Sequence, residues 1–204
     1  MSAPDAELGD PRRVSPSVAR NRDALLDALR GVLPAAGLML EVASGTGEHV
    51  MHLASALPGL TWQPSDPSAE ARASIDAWSE GAANIRPALE LDAIAWPWPV
   101  AAADALVCVN MIHIAPWDAC LGLLRGARVI LPFGAPLILY GPFLRAGVET
   151  APGNLEFDAS LRERDPAWGI RALENVAAAA EGFALDRVME MPANNLTVVF
   201  RRTL

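Results

Sequence analysis

Short apolar runs alternate along this chain with stretches of helical periodicity. The runs at 37–43, 105–109 and 137–141 are each followed by a loop and then by residues with helical spacing. After the first run, apolar residues recur at positions i, i+3, i+4 and i+7, namely Val50, Leu53, Ala54 and Leu57. This alternation is typical of βαβ units, whose strands pair in parallel. We therefore predict a doubly wound, Rossmann-like α/β fold, with a ligand expected at the carboxyl ends of its first strands.

The full prediction is a mostly parallel seven-stranded sheet that ends in an antiparallel hairpin. Strands are expected at 37–43, 61–65, 85–91, 105–109, 137–141, 183–191 and 196–200. Helices are expected to begin at Ser15-Pro16 and to cover about 69–78, 119–131 and 173–182, with another helical stretch after the loop at 145–154. Residues 1–14 carry prolines and charges without periodicity, which predicts a flexible arm before a single domain over 15–204.

The charged residues exclude several classes of function. The formal net charge is −8, which disfavours binding to nucleic acid because phosphate contacts need clustered cations. All 16 basic residues are arginine. The chain therefore lacks the lysine of P-loop nucleotide binding and of Schiff-base chemistry. A small molecule is the expected partner.

Cysteine usage and the N-terminus bear on the compartment. Cys108 and Cys120 form no CxxC pair, which fits a reducing environment. The first residues show no secretory pattern, and no window approaches 18 uninterrupted apolar residues. We expect a cytoplasmic protein without a membrane partner.

The strongest motif follows the first predicted strand and reads Glu41-Val-Ala-Ser-Gly45-Thr-Gly47-Glu48. Glycines at such a position let a ligand approach the backbone, and the following helix offers free N–H donors at its start. A plain turn is the alternative. For a dinucleotide, the GxGxxG pattern needs a third glycine where this chain has Val50, which disfavours NAD.

The spacing E-x-A-x-G-x-G resembles the first motif of class I methyltransferases, which bind S-adenosylmethionine, although that motif has glycine in place of Ala43. The resemblance implies that the loop holds the cofactor through Glu41, Ala43, Ser44, Gly45, Thr46 and Gly47. It also implies a carboxylate for the ribose after the second strand, where Asp66 lies, and an acid near the adenine, where Asp92 lies. From the residues alone, Asp66 could instead cap a helix and Asp92 could lie in a solvated loop.

The resemblance also places Asn110 and Met111, after the fourth predicted strand, beside the methyl donor and acceptor. Amine methyltransferases of this class carry Asp/Asn-Pro-Pro-Tyr at this point, whereas this chain reads Asn110-Met-Ile-His113. The amine chemistry is therefore not carried over.

Two residues are candidates for catalysis, and four are candidates for a lid over the substrate. His113 could act as a general base because an imidazole titrates near pH 6.5, or it could be a buried core histidine. Tyr140 could orient an acceptor or simply pack. The candidate lid residues are Arg20, Asn21, Trp117 and Asn194, and each has a structural alternative: a solvated helix face, the core, or a turn. His49 and His52 have metal-like spacing without a third ligand, so no metal is predicted.

More of the chain is similar to a narrower family. Six segments carry this resemblance: 15–22, 62–66, 110–117, 139–143, 165–169 and 191–195. Together they resemble a family of unknown function related to methyltransferase-like protein 26. The resemblance implies a class I methyltransferase fold and no particular substrate. Our leading hypothesis is methyl transfer from S-adenosylmethionine to a small-molecule acceptor that the sequence does not identify. A cofactor-binding regulatory protein without transfer activity and an NAD(P)-dependent oxidoreductase remain the alternatives.

Overall fold

The computed structural model describes residues 9–203. Its strands are β1 (Gly37–Val42), β2 (Leu60–Ser65), β3 (Ala105–Val109), β4 (Pro136–Gly141), β5 (Phe143–Leu144), β6 (Arg171–Ala172), β7 (Phe183–Met191) and β8 (Asn195–Arg202). Six of them form one sheet in the order β2-β1-β3-β4-β8-β7, and β5 pairs with β6 separately. β1 to β4 are parallel, whereas β8 is antiparallel to β4 and β7 is antiparallel to β8. The predicted α/β class and the C-terminal hairpin are confirmed.

Helices cover both faces of this sheet. They are α1 (Pro16–Arg30), α2 (Glu48–Ala56), α3 (Ala69–Trp78), α4 (Trp117–Ile130), α5 (Pro152–Arg164) and α6 (Leu173–Ala179). Apolar residues of α1, α2 and α3 pack on one face, around the buried side chains of Leu29, Leu53 and Ile75. Those of α4 and α6 pack on the other face, as Leu123 and Val176 do. The sheet is thus buried on both faces, as its apolar strands require.

The sheet differs from the prediction in its number of continuous strands, which is six rather than seven. The segment predicted as a strand at 85–91 makes only two isolated bridges to β2, through Ile85 and Leu89. Pro64 in β2 and Pro87 in this segment both lack a backbone N–H, so a regular ladder cannot form between them. Residues 92–104 then pass over α4 without regular structure.

The N-terminal segment continues across α3. Residues 1–8 of the predicted arm lie outside the described residues, and residues 9–14 are exposed. The backbone N–H of Arg13 donates to Ser74 Oγ (2.8 Å), and its carbonyl accepts from Trp78 Nε1 (2.9 Å). Within residues 9–203, no helix combines the length and the apolar character needed to cross a membrane.

Candidate active site

The carboxyl ends of the parallel strands meet at one edge of the sheet, and backbone strain is concentrated there. Four non-glycine residues between 9 and 203 have positive φ: Ala43, Asn110, Ala193 and Asn194. Ala43 follows β1, Asn110 follows β3, and the other two connect β7 to β8 at the same edge. Such conformations cost about 1–3 kcal/mol each and cluster at functional sites. This edge is therefore the candidate site.

The glycine-rich loop after β1 is open to a ligand. Gly45 and Gly47 adopt φ of 61° and 91°, and Ala43 adopts 58° despite its side chain. A Cβ built on Gly45 would meet no atom within 4 Å, so there is free space beside this residue. Ser44 faces β2 instead, where its Oγ accepts from the Ser65 N–H (3.2 Å) and its own N–H donates to the Ser65 carbonyl (2.9 Å).

Asp66 joins the end of β2 to this loop. Its Oδ2 accepts from the Gly45 N–H (3.0 Å), and its Oδ1 accepts from the Ser68 N–H (2.9 Å). A carboxylate offers about four lone-pair sites, so two of them stay free for hydroxyl groups of a ligand. The structure thus brings the predicted ribose-binding acid and the glycine loop together.

Two more carboxylates lie at the loop. Glu41 is buried, and burial raises the pKa of its carboxyl to about 7, with the charge of Asp66 acting in the same direction. Its Oε2 has no hydrogen-bond partner within residues 9–203, although buried polar atoms are normally paired. Glu48, in the first turn of α2, accepts from the Ser15 N–H (2.6 Å) and from Thr46 Oγ1 (3.0 Å).

Asp92 and Met111 lie at the borders of this region. Asp92 is exposed, and its Oδ1 accepts from the Ile94 N–H (2.9 Å), which closes a turn. This contact is the solvated-loop arrangement that the sequence left open. Met111 is buried in the core on the α4 side of the sheet.

His113 is fully buried rather than poised for proton transfer. Burial lowers the pKa of its imidazole to about 3, and the charge of Arg171 adds to this effect. Nδ1 accepts from the Arg171 N–H (3.2 Å), so the proton of the neutral ring is on Nε2. The ring also meets Phe143 edge-on, with centroids 4.9 Å apart. Burial and the engaged Nδ1 favour the core-histidine alternative, and the role of general base stays a prediction.

Tyr140 places an unsatisfied hydroxyl at the end of β4. Its side chain is 1% exposed, and its hydroxyl completes no hydrogen bond within residues 9–203. Burial raises the pKa of this hydroxyl, and the nearby Asn21 and Asn195 amides oppose that shift. The hydroxyl therefore lies at the end of β4 beside both amides.

Tyr140 lines a cleft of about 660 Å³, within the usual range for small-molecule sites. The cleft also contains four other residues that the sequence singled out: Arg20, Asn21, Asn110 and Asn194. The sequence missed the wall formed by α5, with Asn154 and Phe157. The only signal for this wall was the loop rich in Gly, Pro and Asn that precedes the helix.

Trp117 is separate from this cleft. It packs against the core on the α4 side, with the Arg171 guanidinium 5.8 Å from its ring centroid. This arrangement favours the packing alternative for Trp117, and its role as a lid residue stays a prediction.

Two histidines of α2 attach α1 to the site. His49 Nε2 is 2.8 Å from Asn21 Oδ1, and His52 Nε2 is 3.0 Å from Asp23 Oδ1. Burial lowers the pKa of His49 to about 4, so its neutral ring donates to the amide oxygen. The i, i+3 spacing of these histidines thus serves helix packing.

Several solved methyltransferases share this architecture. CalO1, a methyltransferase in calicheamicin biosynthesis solved in an SAH-bound form, is 22% identical, with 92% of this chain and 54% of that chain covered and a TM-score of 0.74. The mitomycin 7-O-methyltransferase MmcR is 17% identical, with 88% and 53% covered and a TM-score of 0.76. An O-methyltransferase family 2 protein from Planctomyces limnophilus, solved in complex with apigenin, is 19% identical, with 89% and 62% covered and a TM-score of 0.71.

These similarities establish a Rossmann-like methyltransferase fold. This chain spans little more than half the length of the three solved proteins. A family model matches residues 12–202, and the chain therefore belongs to the family described as Protein of unknown function (DUF938).

Proposed function

We propose that this protein binds S-adenosylmethionine at the carboxyl edge of its sheet and methylates a small molecule held in the adjoining cleft. One observation carries the proposal: three carboxylates, from Glu41, Glu48 and Asp66, surround an open glycine loop. Asp66 Oδ2 lies 3.0 Å from the Gly45 nitrogen, so acid and loop form one site. Such a site suits a ligand with positive charge and sugar hydroxyls.

The residues present fit this cofactor. Asp66 keeps acceptor sites for the two ribose hydroxyls, each worth about 1.5–3 kcal/mol as a charged hydrogen bond. Glu41 has an unpartnered buried oxygen that an ammonium group would satisfy. The open space beside Gly45 admits a ligand to the backbone. When bound, the cofactor would supply a methyl group already activated on a sulfonium.

The task left to the protein is to position the acceptor. Asn110 follows β3 and lines the cleft together with Tyr140, and both side chains can orient a polar group. Alignment in a cleft shielded from water can supply much of the barrier reduction for a displacement reaction. Because His113 is fully buried and does not line the cleft, the proposed transfer does not use it as a base.

The same charges disfavour an NAD(P)-dependent oxidoreductase. A dinucleotide places its pyrophosphate at the start of the helix after the glycine loop. Here the Glu48 carboxylate occupies the first turn of that helix and would repel a phosphate. Val50, at the position of the third glycine, is fully buried in the core.

Titration calorimetry with S-adenosylmethionine, S-adenosylhomocysteine and NAD⁺ tests the proposal. We expect the first two to bind and Asp66→Ala to weaken them about ten- to a hundredfold. Glu70→Ala, which removes an exposed acid from the first turn of α3, is the matched control and should bind normally. The proposal would be refuted if S-adenosylmethionine and S-adenosylhomocysteine showed no detectable binding to folded wild type, or if they bound Asp66→Ala as tightly as wild type.

A second assay separates transfer from binding alone. Labelled S-adenosylmethionine is incubated with the protein and a metabolite extract, and methylated products are sought. Labelled product supports the enzyme, whereas tight cofactor binding with no product favours the regulatory alternative. The relation to methyltransferase-like protein 26, the cytoplasmic location and the lack of nucleic-acid and membrane partners stay predictions.

A further inference from the structure

The α1 wall of the cleft presents hydrogen-bond donors. Asn21 uses its Oδ1 to accept from His49, so the part of its amide that lines the cleft beside Tyr140 is the Nδ2 donor. Arg20 lies beside it and carries only donors. The buried Tyr140 hydroxyl, without a partner among the described residues, lies at the base of the same wall.

The opposite wall presents acceptors. Asn154 Nδ2 donates to the Asn194 carbonyl (3.0 Å), and Asn195 Nδ2 donates to the Pro192 carbonyl (3.0 Å). Each of these amides therefore keeps its side-chain oxygen and one N–H for other partners. This wall can accept hydrogen bonds, whereas Arg20 on the α1 wall can only donate them.

Charge distinguishes the walls further. Among the residues lining the cleft, Arg20 is charged and no carboxylate is present. Arg20 makes no ion pair with any residue between 9 and 203. The smaller adjoining cavity contains Glu149 and Glu190, of which Glu190 is paired with Arg145 (3.0 Å). An anionic group would therefore be favoured on the α1 side.

We propose that the acceptor is a small anionic molecule whose carboxylate or phosphate faces Arg20 and whose hydroxyl or amino donors face Asn154 and Asn195. Charge-assisted hydrogen bonds from a guanidinium are stronger than neutral ones, so the anionic end has the greater effect on affinity. Phe157 and Pro142 offer apolar surface to the body of the molecule. That this molecule receives the methyl group rests on the proposed function, whereas the preference for anions rests on the residues of the cleft alone.

Four matched phenols test the preference: 4-hydroxybenzoate, 4-hydroxyphenyl phosphate, 4-hydroxybenzamide and tyramine. Binding is followed by NMR through the side-chain amide signals of Asn154 and Asn194. At least one anion should bind about tenfold more tightly than the neutral amide, and tyramine should bind more weakly still. The order of the two anions shows whether a carboxylate or a phosphate is preferred.

Variants of α1 assign the effect to one side chain. Arg20→Ala should weaken the anions about tenfold, and Arg20→Glu should reverse the order in favour of tyramine. Arg22→Ala is the control, because Arg22 is exposed on the same helix and does not line the cleft. The proposal is refuted if no anion shifts these signals or if tyramine and 4-hydroxybenzoate bind wild type with equal affinity. It is also refuted if Arg20→Ala and Arg22→Ala weaken the binding of the anions to the same extent.

The two proposals can fail separately. Calorimetry with S-adenosylhomocysteine is run on the same samples. If the anions bind as expected and S-adenosylhomocysteine does not, the methyltransferase proposal is wrong and the anion site stands. If S-adenosylhomocysteine binds and the anions do not, the anion site is wrong and the proposed function stands.

Discussion

Replacing Glu41 with glutamine tests the electrostatics of the glycine loop most directly. Burial raises the pKa of the Glu41 carboxyl from 4.5 to about 7. Between pH 4.5 and pH 7, the Glu41 carboxyl keeps its proton in the folded protein but has released it in the unfolded chain. The stabilisation that comes from binding this proton more tightly in the folded state is therefore complete below pH 4.5 and is lost as the pH rises through 7. A shift of this size corresponds to about 3 kcal/mol.

Urea unfolding of wild type and Glu41→Gln at pH 5, 6, 7 and 8 measures this loss. Glutamine does not titrate, so the wild type should lose about 2–3 kcal/mol relative to the variant between pH 5 and pH 8. All other titratable groups are common to both proteins, so their effects cancel in the difference. Parallel pH profiles of the two proteins would show that Glu41 ionises normally.

The same pair of proteins tests whether this charge contributes to the proposed binding of S-adenosylmethionine. An ionised Glu41 that gains an ammonium partner is no longer an unpaired buried charge. Saturating S-adenosylmethionine should therefore stabilise wild type more than Glu41→Gln at pH 8. If the ligand raised the free energy of unfolding equally in both proteins, its ammonium group would not contact Glu41.

The remaining predictions concern strain and buried polar groups. Ala43→Gly should raise the free energy of unfolding by roughly 0.5–1 kcal/mol, because left-handed φ costs alanine about 1–2 kcal/mol and glycine loses about 0.5–1 kcal/mol in entropy. Ala54→Gly within α2 should lower it in the same urea assay. The NMR signals of the His113 ring should not titrate above pH 5, and a midpoint near 6.5 would contradict its burial. Tyr140→Phe should weaken the binding of 4-hydroxybenzoate in the NMR titration, because Tyr140 lines the cleft; unchanged binding would show that its hydroxyl does not contact the ligand.

Periodicity predicted the regular elements well where packing follows local pattern. The helix expected at 69–78 and the strand at 105–109 have those bounds in the structure. The strand expected at 85–91 failed because a ladder depends on the partner strand as well, and Pro64 in β2 interrupts it. The pairing of β5 with β6 also escaped prediction, since each strand has only two residues.

The site was predictable in part. Motif spacing placed Gly45 and Asp66 together, because the carboxyl ends of adjacent parallel strands share one edge. The role of His113 was not predictable, because its burial depends on Arg171 and Phe143, which are distant in sequence. The α5 wall was missed for a similar reason: it reaches the cleft through tertiary packing, and its apolar residues show little helical periodicity.

The side-chain amide of Asn21 lies between α2 and the cleft. Its oxygen is held by His49 on the helix that follows the glycine loop, and its nitrogen is left for the cleft. Under the proposed function, a nucleoside that shifts that helix would also shift a donor that lines the cleft. We therefore expect bound S-adenosylhomocysteine to change the affinity of the cleft for 4-hydroxybenzoate.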